Sequence, residues 1–328
     1  NGLIDLSARG NVQLRGVSAA AHPALIADLR ALGLIDADAG DEARRNILVT
    51  PFADAATDAL AARLGAALSQ MPPLPGKFGF VVDTGAAPVF GGIAGDIRFE
   101  RGADGALLIR CEGAALGAVV TEDAAPEAAV ALAQWFVAAG GVTDGRGRMA
   151  ALIGRGLTPE GRLAPQIAPG PAAPAAAPGL VAEGALVGFA FGQMTADTLA
   201  GLAALGPLRI TPWRMVLVEG LRVLPDLPGL ILRPDNPIRR VEACSGAPAC
   251  LQALAPVRDL ASRLARDVPA GRLLHVSACA KGCAHPGRAD LTLVATAEGF
   301  DLIRNGSAHD TPDRRALAPE TIDLKGLF

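Results

Sequence analysis

The feature that most constrains the fold of this chain is an internal repeat. The second half follows the pattern of the first at an offset of about 195 residues. Five pairs of segments match in the same order, and they are residues 7–16 with 211–220, 33–34 with 229–230, 44–47 with 239–242, 76–78 with 271–273, and 96–110 with 290–304. Because ordered matches are the mark of a repeated structural unit, the sequence predicts two copies of one architecture.

Each copy is predicted to contain both strands and helices. Alternating polar and apolar residues indicate strands, and Asp-Gly or Glu-Gly turns indicate hairpins. The predicted strands are 7–16 and 211–220, the predicted hairpins are 96–110 and 290–304, and the predicted helices are 54–68 and 251–264. The fold class is therefore α+β.

A Pro/Ala-rich stretch, residues 164–179, lies between the two copies and is typical of a linker. Ahead of its first matched segment, the second copy has a predicted strand at 186–191 and a predicted helix at 196–205. Since the repeat calls for counterparts in the first copy, we expect at least ~25 residues to be missing ahead of Asn1. The chain is thus predicted to be N-terminally truncated.

The composition excludes several classes of protein. The 328 residues are 51% hydrophobic and 19% charged, which excludes a disordered chain. No apolar run reaches the roughly 20 uncharged residues that a membrane-spanning helix needs, and a net charge of −3 leaves no basic surplus for a nucleic acid. Without a signal-peptide pattern, we expect a cytoplasmic protein with reduced cysteines.

Four of the five cysteines form two close pairs, C-x5-C at Cys244 and Cys250 and C-x3-C at Cys279 and Cys283. Thiolates are the ligands that iron-sulfur clusters and zinc prefer. A gap of five residues is wider than zinc sites generally use, so the spacing favours a cluster, with zinc or inert buried cysteines as alternatives. The fifth cysteine, Cys111, is predicted to lie in the core.

The first copy lacks the cysteine pattern. The positions that match the four cysteines hold, within near neighbours, Val49, Ala55, Thr84 and Pro88. The first copy is therefore not expected to bind the same cluster, and we expect it to bind the substrate instead.

A set of polar and basic residues in the first copy predicts that binding site. Four of them alternate along the predicted strand 7–16 and are expected to share one face, with Val12 and Leu14 in the core; three more occupy equivalent edges of the next segments. The set is Arg9, Asn11, Gln13, Arg15, Arg45, Asn46 and Lys77. Because arginine binds carboxylates through paired hydrogen bonds, a polycarboxylate is the predicted ligand, and a solvated sheet face is the alternative.

Together these residues resemble the nitrite/sulfite reductase superfamily over essentially the whole chain. The pattern at Cys244, Cys250, Cys279 and Cys283 matches that superfamily's [4Fe-4S] signature. Within it, residues 275–286 (HVSACAKGCAHP), 211–214 (TPWR) and 11–17 (NVQLRGV) look most like the precorrin-3B synthase family. The resemblance implies an internally duplicated nitrite/sulfite reductase-like fold, with ferredoxin-like half-domains and two αβ cluster/tetrapyrrole-binding domains.

The resemblance also suggests domain boundaries. The expected segments are an incomplete ferredoxin-like half with the start of the first αβ domain (1–80), the remainder of that domain (81–163), the linker (164–179), the second ferredoxin-like half (180–235) and the [4Fe-4S]-binding αβ domain (236–328).

The family resemblance implies an oxygen-dependent monooxygenase of aerobic cobalamin biosynthesis. Precorrin-3A would be hydroxylated at C20 with dioxygen and closed to a γ-lactone, giving precorrin-3B. The implied cofactors are a [4Fe-4S] cluster and a mononuclear non-haem iron, and the implied electron donor is NADH-linked.

Two other functions remain open. The first is a sirohaem-dependent sulfite or nitrite reductase, and the second is a non-catalytic iron-sulfur module. Arg9, Arg45 and Lys77 match three basic positions at which the reductases contact sirohaem and the bound anion, whereas the fourth position is Gly79. That departure weakens the case for an anion reductase.

Weaker predictions concern five further residues. His275 and His285 flank the second cysteine pair and are candidates either for iron ligation or for hydrogen bonding near the cluster. Asp290 matches Asp96 in the repeat and is expected to be a structural turn residue. Phe191, like Trp213, is expected to pack in the core rather than against a macrocycle.

Overall fold

The structure is a computed structural model that describes residues 2–328. It consists of two compact units. One comprises the chain up to Val17 together with Ala177–Phe328, and the other comprises Ser18–Ala176. Both units contain helices and sheets, which agrees with the predicted α+β class.

The elements are numbered in chain order. The strands are β1 (Leu3–Leu6), β2 (Val12–Leu14), β3 (Ile47–Val49), β4 (Phe80–Asp83), β5 (Ile97–Arg101), β6 (Leu107–Cys111), β7 (Ala118–Val119), β8 (Gly179–Val181), β9 (Gly184–Phe189), β10 (Gln193–Thr195), β11 (Leu208–Ile210), β12 (Met215–Glu219), β13 (Leu230–Ile231), β14 (Val241–Ala243), β15 (Leu274–Ser277), β16 (Ala289–Thr296), β17 (Gly299–Gly306) and β18 (Arg314–Leu317). The α-helices are α1 (His22–Ala31), α2 (Ala39–Arg44), α3 (Ala55–Ala67), α4 (Ala125–Ala138), α5 (Met149–Gly154), α6 (Ala196–Ala203) and α7 (Arg258–Leu264).

The repeat is visible in two five-stranded sheets of the same topology. One has the order β3-β4-β5-β6-β7 and the other β14-β15-β16-β17-β18. In each, the first three strands run parallel and the last two pairings are antiparallel. One helix packs on each sheet in the same place, α3 in the first copy and α7 in the second. Each sheet has its own buried apolar core.

Helix α3 begins where the sequence provides a cap. The Asp54 side chain accepts a hydrogen bond from the main-chain N–H of Thr57 at 2.8 Å, which satisfies one of the free donors of the first turn. Leu60 and Leu64, one turn apart, are then buried against the sheet. The hydrogen bond and the apolar stripe together fix the start and the buried face of this helix.

The ferredoxin-like parts also repeat. The hairpin of β1 and β2 pairs Ile4 with Leu14, and the hairpin of β11 and β12 pairs Leu208 with Val218 in the same register. The sheet β10-β1-β2 shares a core with the sheet β11-β12-β9-β13, on which β8 also pairs with β9. The predicted strand and helix at 186–191 and 196–205 correspond to β9 and α6.

The expectation that Val12 and Leu14 lie in the core is wrong. They are 42% and 41% exposed, because β2 is an edge strand of its sheet. Their counterparts Val216 and Val218 are completely buried, because β12 lies between β11 and β9. Position in the sheet, rather than strand periodicity, decides the burial of these pairs.

The Pro/Ala-rich stretch 164–179 contacts residues next to the first αβ sheet near its start and begins strand β8 at its last residue, Gly179. Single bridges join Ile167 to Gly117 and Pro169 to Gly102. The division between the two units at Ala176 and Ala177 falls inside this stretch.

Within residues 2–328, no helix has both the length and the apolar character required to cross a membrane.

Candidate metal centre and basic residues

The two cysteine pairs lie on loops that leave neighbouring parallel strands. Cys244 directly follows β14, and Cys279 follows β15 after one residue, Ala278. Strands β14 and β15 pair in parallel, so their carboxyl ends open at the same edge of the sheet. The main-chain N–H of Ala278 donates to Cys244 Sγ at 3.3 Å, a direct link between the two loops.

Small residues allow these loops to fold tightly. Gly246 and Gly282 both adopt positive φ angles, 64° and 62°, which favour glycine. A Cβ at Gly282 would lie 2.9 Å from the Cβ of Ala308. A larger residue at Gly282 would therefore force the loop before Cys283 away from the sheet.

The four cysteines fit a soft metal by their chemistry. All five cysteines in the described chain are free thiols, and Cys283 is exposed. Within residues 2–328, however, no three His, Cys, Asp or Glu side chains converge closely enough to hold a metal ion. The structure thus supplies an all-thiol donor set on two adjacent loops.

His275 occupies the sheet face opposite α7. It pairs in register with Glu242 on β14 and Thr292 on β16, so the three side chains share that face. His275 is 0% exposed, and neither ring nitrogen has a hydrogen-bond partner among residues 2–328. Burial, with a smaller contribution from His285, lowers the pKa of His275 to about 4, so the ring is neutral at physiological pH.

A second histidine and an ion pair complete this face. The rings of His275 and His285 are 5.9 Å apart between centroids. Arg214 Nη1 donates to Glu242 Oε2 at 2.9 Å. Desolvation raises the pKa of Glu242 above its ordinary value, and the Arg214 guanidinium opposes that shift.

The TPWR motif forms the turn that presents Arg214. Thr211 Oγ1 donates to the carbonyl of Met215 at 3.0 Å, which closes the turn between β11 and β12. Arg214 has a φ of 57°, a conformation that costs a non-glycine residue energy. Gly192 packs so closely that a Cβ there would lie 2.7 Å from Arg214 Cβ. Sequence reasoning used this motif only for family resemblance and missed Arg214 and Glu242 as site residues.

The four predicted binding residues near the N-terminus do not form one continuous strand. The strand spans Val12–Leu14, and Arg9 lies in the turn before it. Ser7 makes this turn, because its Oγ accepts the main-chain N–H groups of Arg9 at 3.2 Å and Asn11 at 3.1 Å. The expectation of four side chains on one strand face is therefore wrong for Arg9.

Arg15 is held by two neighbours. Its Nε donates to Asp5 Oδ2 at 2.6 Å and its Nη2 to Gln13 Oε1 at 2.7 Å. Gln13 and Asp5 are directly opposite each other on β2 and β1. Arg15 thus has a fixed position, whereas Asn11 and Arg9 are exposed.

The other three predicted binding residues belong to the second unit. Arg45 is paired with Asp36 at 3.0 Å and with Glu42 at 3.1 Å. Asn46 Nδ2 donates to the carbonyl of Phe78 at 2.9 Å, so this side chain has a structural contact. Lys77 is exposed.

Two residues predicted to be structural, Cys111 and Phe191, pack in or against an apolar core. Cys111 is 4% exposed in the first αβ core, and burial raises its pKa to about 12. Phe191 packs partly buried against the second αβ core. The strand registers place Thr50 and Gly85 at the positions of Cys244 and Cys279, so the first copy has no thiol there.

Two known proteins are similar to this chain over most of its length. A precorrin-3B synthase from Sinorhizobium sp is 30% identical to this chain, over 95% of this chain and 75% of that protein. The structure of the Mycobacterium tuberculosis NirA protein matches 92% of this chain and 68% of that chain with a TM-score of 0.63 at 18% identity, a likeness of fold. No family model matches. The predicted nitrite/sulfite reductase-like fold is confirmed, and the chain belongs to the precorrin-3B synthase family.

Proposed function

We propose that this protein is an oxidoreductase that converts precorrin-3A to precorrin-3B by C20 hydroxylation and γ-lactone formation. The observation that carries the proposal is its relation to the Sinorhizobium precorrin-3B synthase along nearly the whole chain. In the proposed reaction one atom of dioxygen enters the product and the other leaves as water. The balance requires two electrons from an NADH-linked donor and two protons.

Cys244, Cys250, Cys279 and Cys283 are the proposed ligands of a [4Fe-4S] cluster. Their support is the all-thiol donor set on loops from two adjacent strand ends and the hydrogen bond from Ala278 N–H to Cys244 Sγ. Proteins adjust the reduction potential of such clusters through hydrogen bonds to sulfur and through the surrounding charge. When bound, the cluster supplies one-electron transfer.

A mononuclear non-haem iron is the second proposed metal. Such sites generally use two histidines and a carboxylate, and His275, His285 and Glu242 are the candidate donors beside the cysteine loops. The support for His275 is that both of its buried ring nitrogens are without hydrogen-bond partners within residues 2–328. When bound, this iron supplies dioxygen activation. His275→Ala should lower the iron content beyond the cluster while leaving acid-labile sulfide unchanged.

The basic residues are proposed to bind the acetate and propionate groups of the substrate. Within one unit, Arg9 is exposed and Arg15 is held in place by Asp5. Because charge-assisted hydrogen bonds to carboxylates are about twice as strong as neutral ones, a few such residues suffice to orient a polycarboxylate macrocycle.

Turnover with isotopically labelled dioxygen tests the proposed function. Anaerobically prepared protein, mixed with precorrin-3A, a reductant and labelled dioxygen, should give a product that contains one labelled oxygen atom. Absence of product with cluster-loaded protein would contradict the monooxygenase and leave the non-catalytic iron-sulfur module.

The fold likeness to the NirA protein favours one alternative, a sirohaem-dependent nitrite or sulfite reductase. Strong tetrapyrrole absorption bands in the purified protein, with reduction of either anion, would support the reductase. A broad cluster spectrum alone would exclude it.

A further inference from the structure

We propose that Asp5 is a positioning residue that links the proposed substrate-binding residue Arg15 to Arg258. Arg258 contacts the first cysteine loop, residues 244–250. This inference rests on the proposed function, and it adds a physical connection between the substrate face and the cluster. Both arginines and Asp5 belong to the same compact unit.

Asp5 lies at the centre of its sheet with both carboxylate oxygens engaged. It is 4% exposed on β1, with Gln193 directly opposite on β10 and Gln13 directly opposite on β2. Oδ2 is 2.6 Å from Arg15 Nε, whereas Oδ1 accepts from Gln193 Nε2 and from Arg258 Nη1, each at 3.0 Å. A single buried carboxylate therefore holds two arginines.

Arg258 extends this contact to the cysteine loop. It is the first residue of α7, and its Nε donates to the main-chain carbonyl of Cys244 at 3.3 Å. Its side chain is 19% exposed, so solvent screens its charge incompletely. The path from Arg15 through Asp5 and Arg258 to Cys244 consists of hydrogen bonds between named atoms.

The ion pair between Asp5 and Arg15 has a counterpart of opposite polarity in the second copy. At the positions of Asp5 and Arg15, the second hairpin has Arg209 and Glu219, and these two also form an ion pair. The charges are reversed between the copies. In the first hairpin the carboxylate is Asp5, which binds Arg258 as well as Arg15.

The charges of Asp5 and Arg258 are expected to influence the midpoint potential of the cluster. With Asp5 present, the Arg258 cation near Cys244 is partly neutralised. Asp5→Asn removes that negative charge, and because an uncompensated cation favours the more reduced cluster, the midpoint potential should rise. Arg258→Gln removes the cation and should lower it.

The experiment compares anaerobically prepared holoprotein of the wild type, Asp5→Asn, Arg258→Gln and Glu219→Gln. Spectroscopic redox titration gives the midpoint potential, and steady-state assays with precorrin-3A give KM and kcat. We expect opposite shifts of potential in the first two variants and a KM several-fold higher in Asp5→Asn, since Arg15 loses its main partner. Glu219→Gln, the matched loss of the counterpart ion pair, should change neither property.

The possible outcomes separate the inference from the proposed function. Equal potentials and equal KM values in wild type and Asp5→Asn, with lowered thermal stability alone, would reduce Asp5 to a structural residue and overturn the inference. If Asp5→Asn does not fold, an unchanged potential in Arg258→Gln overturns it equally. A wild-type protein that binds no cluster would instead refute the proposed function, and the inference with it.

Discussion

Asp96 and Asp290 occupy the same place in the two αβ sheets. Each accepts the main-chain N–H of the residue just before a parallel strand, Gly79 at 3.0 Å for Asp96 and Leu273 at 2.8 Å for Asp290. The strands that follow are the counterparts β4 and β15. The prediction that Asp290 lies in a turn is wrong, because it belongs to strand β16, whereas the contact that it shares with its counterpart supports a structural role.

The two aspartates should differ in their contribution to stability. Asp96 is completely buried and also accepts Met149 N–H at 2.8 Å and Arg148 Nε at 3.0 Å, whereas Asp290 is partly exposed. Asp96→Ala leaves three donors unpaired and should cost about 3–5 kcal/mol of unfolding free energy. Asp290→Ala should cost about 1–2 kcal/mol. Urea unfolding of both variants measures the difference, and equal losses would contradict this assignment.

Cys111 should be unreactive in the folded protein. Burial raises the pKa of its thiol to about 12, so almost no thiolate forms near neutral pH. In cluster-free protein at pH 8, a thiol reagent should modify the other four cysteines, and Cys111 should react after denaturation. Peptide mass spectrometry identifies the labelled sites. Labelling of Cys111 at the rate of Cys283, which is exposed, would contradict its position in the core.

The architecture could be predicted because matching segments recur in the same order in the two halves of the sequence. The two αβ sheets and the matching positions of Asp96 and Asp290 depend on residues that keep one order in both copies. The sequence could not predict whether a strand lies at the edge or in the interior of its sheet. Val12 and Val216 have the same periodicity, and the neighbouring strand alone decides that one is exposed and the other buried.

Contacts between distant parts of the chain were also beyond sequence reasoning. Asp5 and Arg258 are 253 residues apart in the chain, and nothing local indicates that they pair. The turn at Arg9 was missed for a different reason, because the alternation of polar residues concealed the Ser7 hydrogen bonds that end the strand pattern. Glu242 and His275 share a sheet face through strand register, which a single sequence does not reveal.

Loss of one cysteine should separate cluster ligands from core cysteines. Cys283→Ser removes one of the four proposed thiol ligands, and serine oxygen is a poorer ligand than a thiolate for an iron-sulfur cluster. Iron and acid-labile sulfide should fall to near zero in that variant. Cys111→Ala is the matched control, because it removes a thiol from the first αβ core and should retain the cluster. Full sulfide content in Cys283→Ser would refute the proposed ligand set.

Asp83 should make the stability of the protein depend on pH. It is 1% exposed, its Oδ2 accepts the N–H groups of Val89 and Phe90 at 2.7 Å each, and its Oδ1 has no partner within residues 2–328. Burial raises its pKa above the usual 3.8. The folded protein then keeps this proton to higher pH than the unfolded chain does, so the stabilising contribution is complete below pH 3.8 and declines as pH rises through the folded pKa.

Asp83→Asn tests this dependence. The amide retains an oxygen acceptor for both N–H groups and carries no charge, so the variant should be at least as stable as the wild type at pH 7. Each unit of the raised pKa corresponds to about 1.4 kcal/mol. Urea unfolding from pH 4 to 8 should show a flatter profile for the variant, and Asp123→Asn, whose side chain is 96% exposed, serves as control. A variant less stable than the wild type throughout would show that the charged carboxylate is needed.

Arg9→Ala should weaken substrate binding far more than folding. Arg9 is exposed in the turn between β1 and β2, where Ser7 Oγ accepts its main-chain N–H group. Loss of a charge-assisted hydrogen bond of about 1.5–3 kcal/mol corresponds to roughly 10- to 100-fold weaker precorrin-3A binding. Titration of the substrate into anaerobic holoprotein measures its Kd, with Arg233→Ala as control because Arg233 is an exposed arginine of the same unit that is paired with Asp235. If Arg9→Ala left the Kd unchanged and lowered the thermal stability instead, the hairpin turn would be structural, and the polycarboxylate site would have to be sought without it.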